Sequence, residues 1–112
     1  MLMEDPAGAA KVICQDLPPK EGEAVIQNFA KHSAQSFGNE LTYAGYQNIP
    51  TSWLFCDEDM AGPPDFQQEL IDMIEEVSDR KVDVTHVKSS HMVNFSAEKE
   101  LVDWILKIAG PA

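Results

Sequence analysis

The stretch from Ile49 to Gln67, Ile-Pro-Thr-Ser-Trp-Leu-Phe-Cys-Asp-Glu-Asp-Met-Ala-Gly-Pro-Pro-Asp-Phe-Gln, most constrains how this chain can fold. Thr51 to Cys56 is a short β-branched, aromatic and apolar run. Pro50 stands just before it, where a missing N–H is tolerated in a strand. Asp57 to Gly62 is an acidic turn. Pro63-Pro64-Asp65 opens a helix: Pro fits a first helical turn, and an acidic side chain suits its positive end. The order is strand, acidic loop, helix. In open α/β sheets, chemistry collects just past the carboxyl ends of the strands, which is where Asp59 stands.

The second half repeats the pattern. Phe66, Leu70, Ile71, Ile74 and Val77 recur at helical spacing and predict an amphipathic helix over Pro64 to Ser78. Lys81 to Val87, with Val82 and Val84 on one face, reads as a strand. After the loop 88–95, Ser96 is read as the N-cap of a last helix, with Glu98 and Glu100 in its first turn. Leu101, Trp104, Ile105 and Ile108 form its apolar stripe, and Gly110-Pro111 end it. Strand, helix, strand, helix at this length is an α/β arrangement with parallel strands. Loops following two parallel strands open on the same sheet edge. If the strands are neighbours, Asp59 and His91 can meet there. A carboxylate bonded to an imidazole fixes its tautomer and stabilises the imidazolium formed when the ring takes a proton.

The run Trp53 to Gln67, followed by Ser90-His91 ahead of a closing helix, resembles the C-terminal part of an α/β-hydrolase of the AB hydrolase-1 type. It is similar in particular to the small esterase and hydroxynitrile-lyase-like group and its fungal relatives. The resemblance is good from about Tyr43 to Ile108 and looser before it. It implies Asp59 as the triad acid, His91 as the triad base, small apolar esters as the substrate class, and no cofactor. It also implies that residues 1–47 are the tail of a helical cap and 48–112 the C-terminal part of the core. In that family a nucleophile in a Gly-x-Ser-x-Gly turn precedes the acid. Ser33, Ser36 and Ser52 precede Asp59 here, but none has that setting. The chain therefore reads as the back third to half of a hydrolase: a truncation, a gene-model fragment or one half of a split enzyme. The rival reading is a non-catalytic remnant or interaction module that pairs with a hydrolase.

Two strands make a marginal sheet in water. A poorly stable monomer is expected, with self-association or complementation through the exposed sheet edge. The net charge of −11, from 8 basic and 19 acidic residues, argues against nucleic acid as a partner. Cys14 and Cys56 are too few for a disulfide scaffold, and a reduced, cytoplasmic setting is the default. Neither a secretory signal nor a run long enough to span a membrane is visible. Ala61 and Gln68 stand where a calcium loop starting at Asp57 needs oxygen ligands, and neither fits that pattern.

In the N-terminal part, Asp5-Pro6 starts a short helix with Ala9, Ala10, Val12 and Ile13 on its apolar face, and Leu17-Pro18-Pro19 breaks it. A second helix is expected over Lys20 to Phe37, with Val25, Ile26, Phe29, Ala30 and Phe37 inward. Glu40 to Asn48 reads as an irregular connection. His32 is placed on that helix and His86 in the second strand, both as structural residues. Trp53, Phe66 and Trp104 are expected in the core. Met60 and Met92, flanking the two candidate residues, are read as gap fillers.

Overall fold

The computed structural model describes residues 4–111. Strands β1 (Ser52–Cys56) and β2 (Asp83–Val87) pair in parallel, with Ser52 opposite Asp83 and Cys56 opposite Val87. The helix that connects them, α3, spans Pro64–Ser78 as the apolar spacing predicts. It ends at Asp79, whose φ of 52° is a left-handed stop that Asp tolerates better than bulkier residues. Glu75 closes the return to β2: one carboxylate oxygen accepts the Val82 N–H and the other holds Lys81.

Alternate residues of β1 face opposite layers, as the pleat requires. Phe55 packs with Ile71 and Ile74 of α3 and with Val82, flanked by Trp53, Val84 and Tyr46. Cys56 packs on the other face with Val87 and Ala97, flanked by Leu54 and Val93. The second layer there consists of α4 (Val93–Ser96) and α5 (Glu98–Ala109). Helices thus cover both faces of a two-stranded parallel sheet, an arrangement compatible with the α/β class.

The covering is uneven. Ile71 is 2% exposed, whereas Ile105, Leu106 and Ile108 of α5 are 49%, 63% and 44% exposed. Phe66, expected in the core, is half exposed; the buried side of α3 is the one that carries Gln67, Ile71 and Ile74. Met60 is also exposed and fills no gap.

The N-terminal part departs most from expectation. Helix α1 (Pro6–Ile13) starts at Asp5, whose carboxylate accepts the Gly8 N–H. The expected helix from Lys20 to Phe37 is instead α2 (Pro19–Gln27), an irregular stretch, and a separate 3-10 turn over Ala34–Phe37. Asn28 stops α2: its side-chain amide donates to the Ala24 carbonyl, a backbone acceptor at the helix end. Only Ile26 of the predicted inward set is buried; Phe29 and Phe37 face outward, and His32 lies outside any helix. A second correction concerns Ser96. It ends α4 rather than capping α5, because Ala97 leaves helical backbone at φ −145° and is itself the N-cap position.

Helices α1 and α2 pack through Ala10, Cys14 and Ile26. Gly22 permits this approach, since a Cβ there would lie 3.3 Å from both Ala10 Cβ and Cys14 Sγ. Met92, partly buried, packs against this cluster, as a gap filler should. Among the described residues no helix is long and apolar enough to cross a membrane.

The uneven covering separates two kinds of substitution. Ile71→Ala should cost about 2–4 kcal/mol of stability. Leu106→Lys should change it by less than about 0.5 kcal/mol. Urea unfolding followed by tryptophan fluorescence measures both, and equal losses would contradict the described burial of α3 and exposure of α5.

Candidate active site

Parallel pairing continues past the ends of the strands. The Asp57 N–H donates to the Val87 carbonyl at 2.9 Å, and the Glu58 N–H to the Ser89 carbonyl at 3.1 Å. The loops carrying Asp59 and His91 are thereby held side by side on one sheet edge. Asp59 Oδ2 lies 2.8 Å from His91 Nδ1. An ionised carboxylate only accepts, so Nδ1 is the donor, and in the neutral ring Nε2 then carries the lone pair. No hydrogen bond to Nε2 is formed among the described residues.

Asp59 and His91 differ sharply in exposure. The Asp59 side chain is 7% exposed and that of His91 49%. The other carboxylate oxygen of Asp59, Oδ1, accepts the N–H groups of Ala61 at 2.8 Å and Gly62 at 2.7 Å. These three contacts satisfy a buried anion that would otherwise be costly. They also fix the carboxylate plane, so that Oδ2 faces the imidazole. Gly62 suits its place, because a Cβ there would sit 3.3 Å from Asp59 Oδ2.

Gln67 holds this loop to the sheet. It is 5% exposed, in the first turn of α3. Its Oε1 accepts the Cys56 N–H at 3.1 Å and the Trp53 indole N–H at 3.3 Å. Its Nε2 donates to the carbonyls of Cys56 and Gly62, each at 2.9 Å. The amide thus uses both lone pairs and both protons. It ties the end of β1 to the end of the acidic turn, bracketing Asp59. In the sequence Gln67 stands only as part of a helix start; an amide in the first turn after an acidic loop is the signal that marks it.

A second pair lies beside the first. His86 Nδ1 is 2.6 Å from Asp57 Oδ1, with the side chains 60% and 46% exposed. The His86 ring also packs on Phe55, with centroids 4.7 Å apart. Asp57 and Glu58 are exposed, as expected. Ser89 and Ser90 are fully buried; the Ser89 hydroxyl donates to the Ser90 carbonyl, and the Ser90 hydroxyl lies 3.0 Å from that of Ser96. Among the described residues, neither hydroxyl hydrogen-bonds the His91 ring.

The sequence reading also missed the corner between α1 and α2. Asp16 Oδ2 accepts the Ser90 N–H at 2.9 Å, and Oδ1 accepts the Ser96 hydroxyl at 2.6 Å. Gln15 Nε2 donates to the Glu58 carbonyl at 2.5 Å, and the Met92 N–H donates to the Ile13 carbonyl at 3.3 Å. Partial burial of Asp16 works to raise its pKa, but the hydrogen bonds from Ser90 and Ser96 outweigh it and hold the carboxyl below its ordinary value.

Neither cysteine is poised as a nucleophile. Burial, reinforced by the carboxylates of Asp59, Asp57 and Asp16, pushes the Cys56 thiol up to about 11. Burial and then Asp16 raise that of Cys14. Among the described residues no group of three or more His, Cys, Asp or Glu side chains could hold a metal ion.

One curated protein similar to this chain is "Probable hydrolase R7" of a Phoma species, 36% identical over 101 residues. The match takes in 90% of this chain and 41% of that protein, so the chain spans less than half the length of its relative. No family model matches the chain. The chain therefore has a hydrolase-like relative and carries a carboxylate–imidazole pair past two parallel strands.

Two outcomes test this description. Gln67→Leu keeps the volume but removes the partner of the Cys56 N–H and the side-chain donor to the Gly62 carbonyl, while the Cys56 carbonyl keeps the Asp59 N–H, and should cost about 2–4 kcal/mol in urea unfolding; a loss below about 0.5 kcal/mol would contradict its bracketing role. In the folded protein at pH 8, both thiols should resist a disulfide reagent, and should react at once in denaturant.

Proposed function

We propose that this chain is α/β-hydrolase-like and provides the acid–base half of a serine carboxylic-ester hydrolase. Residues 48–112 stand as the C-terminal part of the core and 1–47 as the tail of a cap. Asp59 orients His91, and His91 Nε2 takes the proton of a serine hydroxyl as it attacks a small apolar ester. The imidazolium then returns that proton to the leaving alcohol. The observation that carries this reading is the 2.8 Å Asp59–His91 hydrogen bond to a carboxylate whose other oxygen is held by two backbone N–H groups. The named hydrolase relative supports the reaction class.

The attacking hydroxyl comes from outside this chain. No serine lies in a Gly-x-Ser-x-Gly turn. Ser89 and Ser90, the serines nearest in sequence to His91, are buried and engaged elsewhere. The relative is more than twice as long as the matched segment, which leaves room for a nucleophile-bearing portion. The half-exposed α5 stripe and the unpaired strand edges offer surface for that portion to pair with.

The test uses p-nitrophenyl esters and a fluorophosphonate probe. The chain alone should show neither turnover nor labelling. Combined with the portion of the Phoma relative that it does not match, it should hydrolyse the ester. Asp59→Asn should then lower kcat by about 10²–10⁴-fold, and His91→Ala by at least as much. Turnover unaffected by His91→Ala would overturn the assignment. Labelling of the chain alone that vanishes in His91→Ala would place the nucleophile within it.

A further inference from the structure

We propose that Asp16 is a positioning residue for His91, acting from the corner between α1 and α2 through the backbone on either side of the imidazole. This rests on His91 being the proposed base, but it concerns a residue to which that reading gives no part in the acid–base pair, in a segment it reads only as the tail of a cap.

The contacts converge on the two candidate residues without touching their side chains. Ser90 and Met92 flank His91 in the chain. The N–H of the first donates to the Asp16 carboxylate, and that of the second to the Ile13 carbonyl. Glu58 directly precedes Asp59, and its carbonyl accepts from Gln15. Three residues of one four-residue run, Ile13, Gln15 and Asp16, therefore hold main-chain groups beside both His91 and Asp59. Asp16 contributes most on the His91 side, because its second oxygen also accepts from Ser96 across the loop. The Ser90–Ser96 hydroxyl contact closes this small ring.

Ser90 is fully buried, so its N–H has no ready replacement for the carboxylate. The lowered carboxyl pKa of Asp16 is what two such donors produce. With the Asp59 oxygens fixed on their side, the direction of the Asp59–His91 hydrogen bond depends on where the loop 88–92 places the ring. Loss of the Asp16 anchor frees that loop. The ring then loses its enforced Nδ1–H tautomer, and Nε2 no longer presents a lone pair.

The tautomer can be read without any nucleophile, from imidazole ¹⁵N shifts of the full chain at about pH 8.5, above the ordinary histidine range. His86 serves as an internal control, since it is paired with Asp57 at 2.6 Å, whereas Asp16 bonds Ser90 and Ser96. In the wild type, His91 should be the Nδ1–H tautomer. In Asp16→Ala its shifts should move toward those of the Nε2–H ring, with His86 unchanged. Asp16→Asn should restore much of the wild-type pattern: its carbonyl can accept from Ser90 while its amide donates to the Ser96 oxygen. Ser96→Ala removes one leg only and should give a smaller shift in the same direction, which keeps the test intact should Asp16→Ala not fold. Ile26→Ala damages the α1–α2 packing without removing the anchor; it should lower Tm and leave the His91 tautomer alone.

Unchanged His91 shifts in Asp16→Ala overturn the inference, as does the same change in Ile26→Ala at a matched loss of Tm. Either result leaves His91 as base untouched. A wild-type His91 already in the Nε2–H form would overturn both.

Discussion

The structure depends on parallel pairing that does not stop where the strands stop. Two five-residue strands supply few ladder hydrogen bonds, and an isolated pair of strands is marginal in water. The Asp57 and Glu58 N–H groups extend the pairing into the loops, toward Val87 and Ser89. Those loops would otherwise be free to diverge, because a turn after a strand has no intrinsic reason to lie against the next one. Once they are joined, a residue two places past Asp57 and another two places past Ser89 face each other. The Asp59–His91 contact is a consequence of that continuation. Gln67 secures it from below by saturating the backbone at the end of β1.

How much of this was legible in the sequence depended on the range of the interaction involved. The bounds of α3 are legible to the residue because the signal is local: Pro at the start, apolar side chains at helical spacing, a polar stop. The meeting of Asp59 and His91 was legible because parallel topology converts two sequence positions into one edge. The supposed helix over Lys20–Phe37 failed for a physical reason. Apolar spacing continued through Asn28, but the burial that would have rewarded it did not, and the Asn28 amide turned back onto Ala24. Asp16 was illegible. Nothing near it in the chain marks a carboxylate that bonds residues 74 and 80 positions away. Such contacts belong to tertiary structure alone, and local propensity carries no trace of them.

The helical pair α1–α2 has its own small core and would be a satellite if packing were its only attachment. Its apolar contact with the rest of the chain comes chiefly from Met92, a residue that adapts its shape readily. Most of its attachment is polar and directed: an amide to a carbonyl, a carboxylate to an N–H and a hydroxyl. Hydrogen bonds fix orientation where apolar contact alone would permit sliding. A segment that must set the angle of a loop, rather than only cover it, is well served by that division. The α5 layer shows the opposite case. It has apolar side chains at helical spacing but leaves several near half exposed. The Trp104 indole N–H is buried without a hydrogen-bond partner among the described residues, beside a shallow groove that Ile105 and Ile108 also line. Apolar pattern without directed contacts has left that side loosely joined.

Comparison of the two His–Asp pairs shows how surroundings separate two contacts of similar geometry. Asp57–His86 and Asp59–His91 each join one carboxylate oxygen to Nδ1, stand at 2.6 and 2.8 Å, and lie at the same end of the same two strands. Distance therefore does not distinguish them, and neither does residue type. Surroundings do. Asp57 is 46% exposed, so water competes for its charge and the ring can leave at small cost. Asp59 is 7% exposed and has one oxygen committed to two backbone N–H groups, so its remaining oxygen has a single direction in which to act. A water-screened pair sets neither tautomer nor angle, whereas a dry carboxylate held on one side sets both. For proton transfer the useful quantity is the fraction of time that Nε2 presents its lone pair in a fixed place. The chain concentrates its rigid elements, the Gln67 bracket and the Asp16 anchor, around the second pair and leaves the first in solvent.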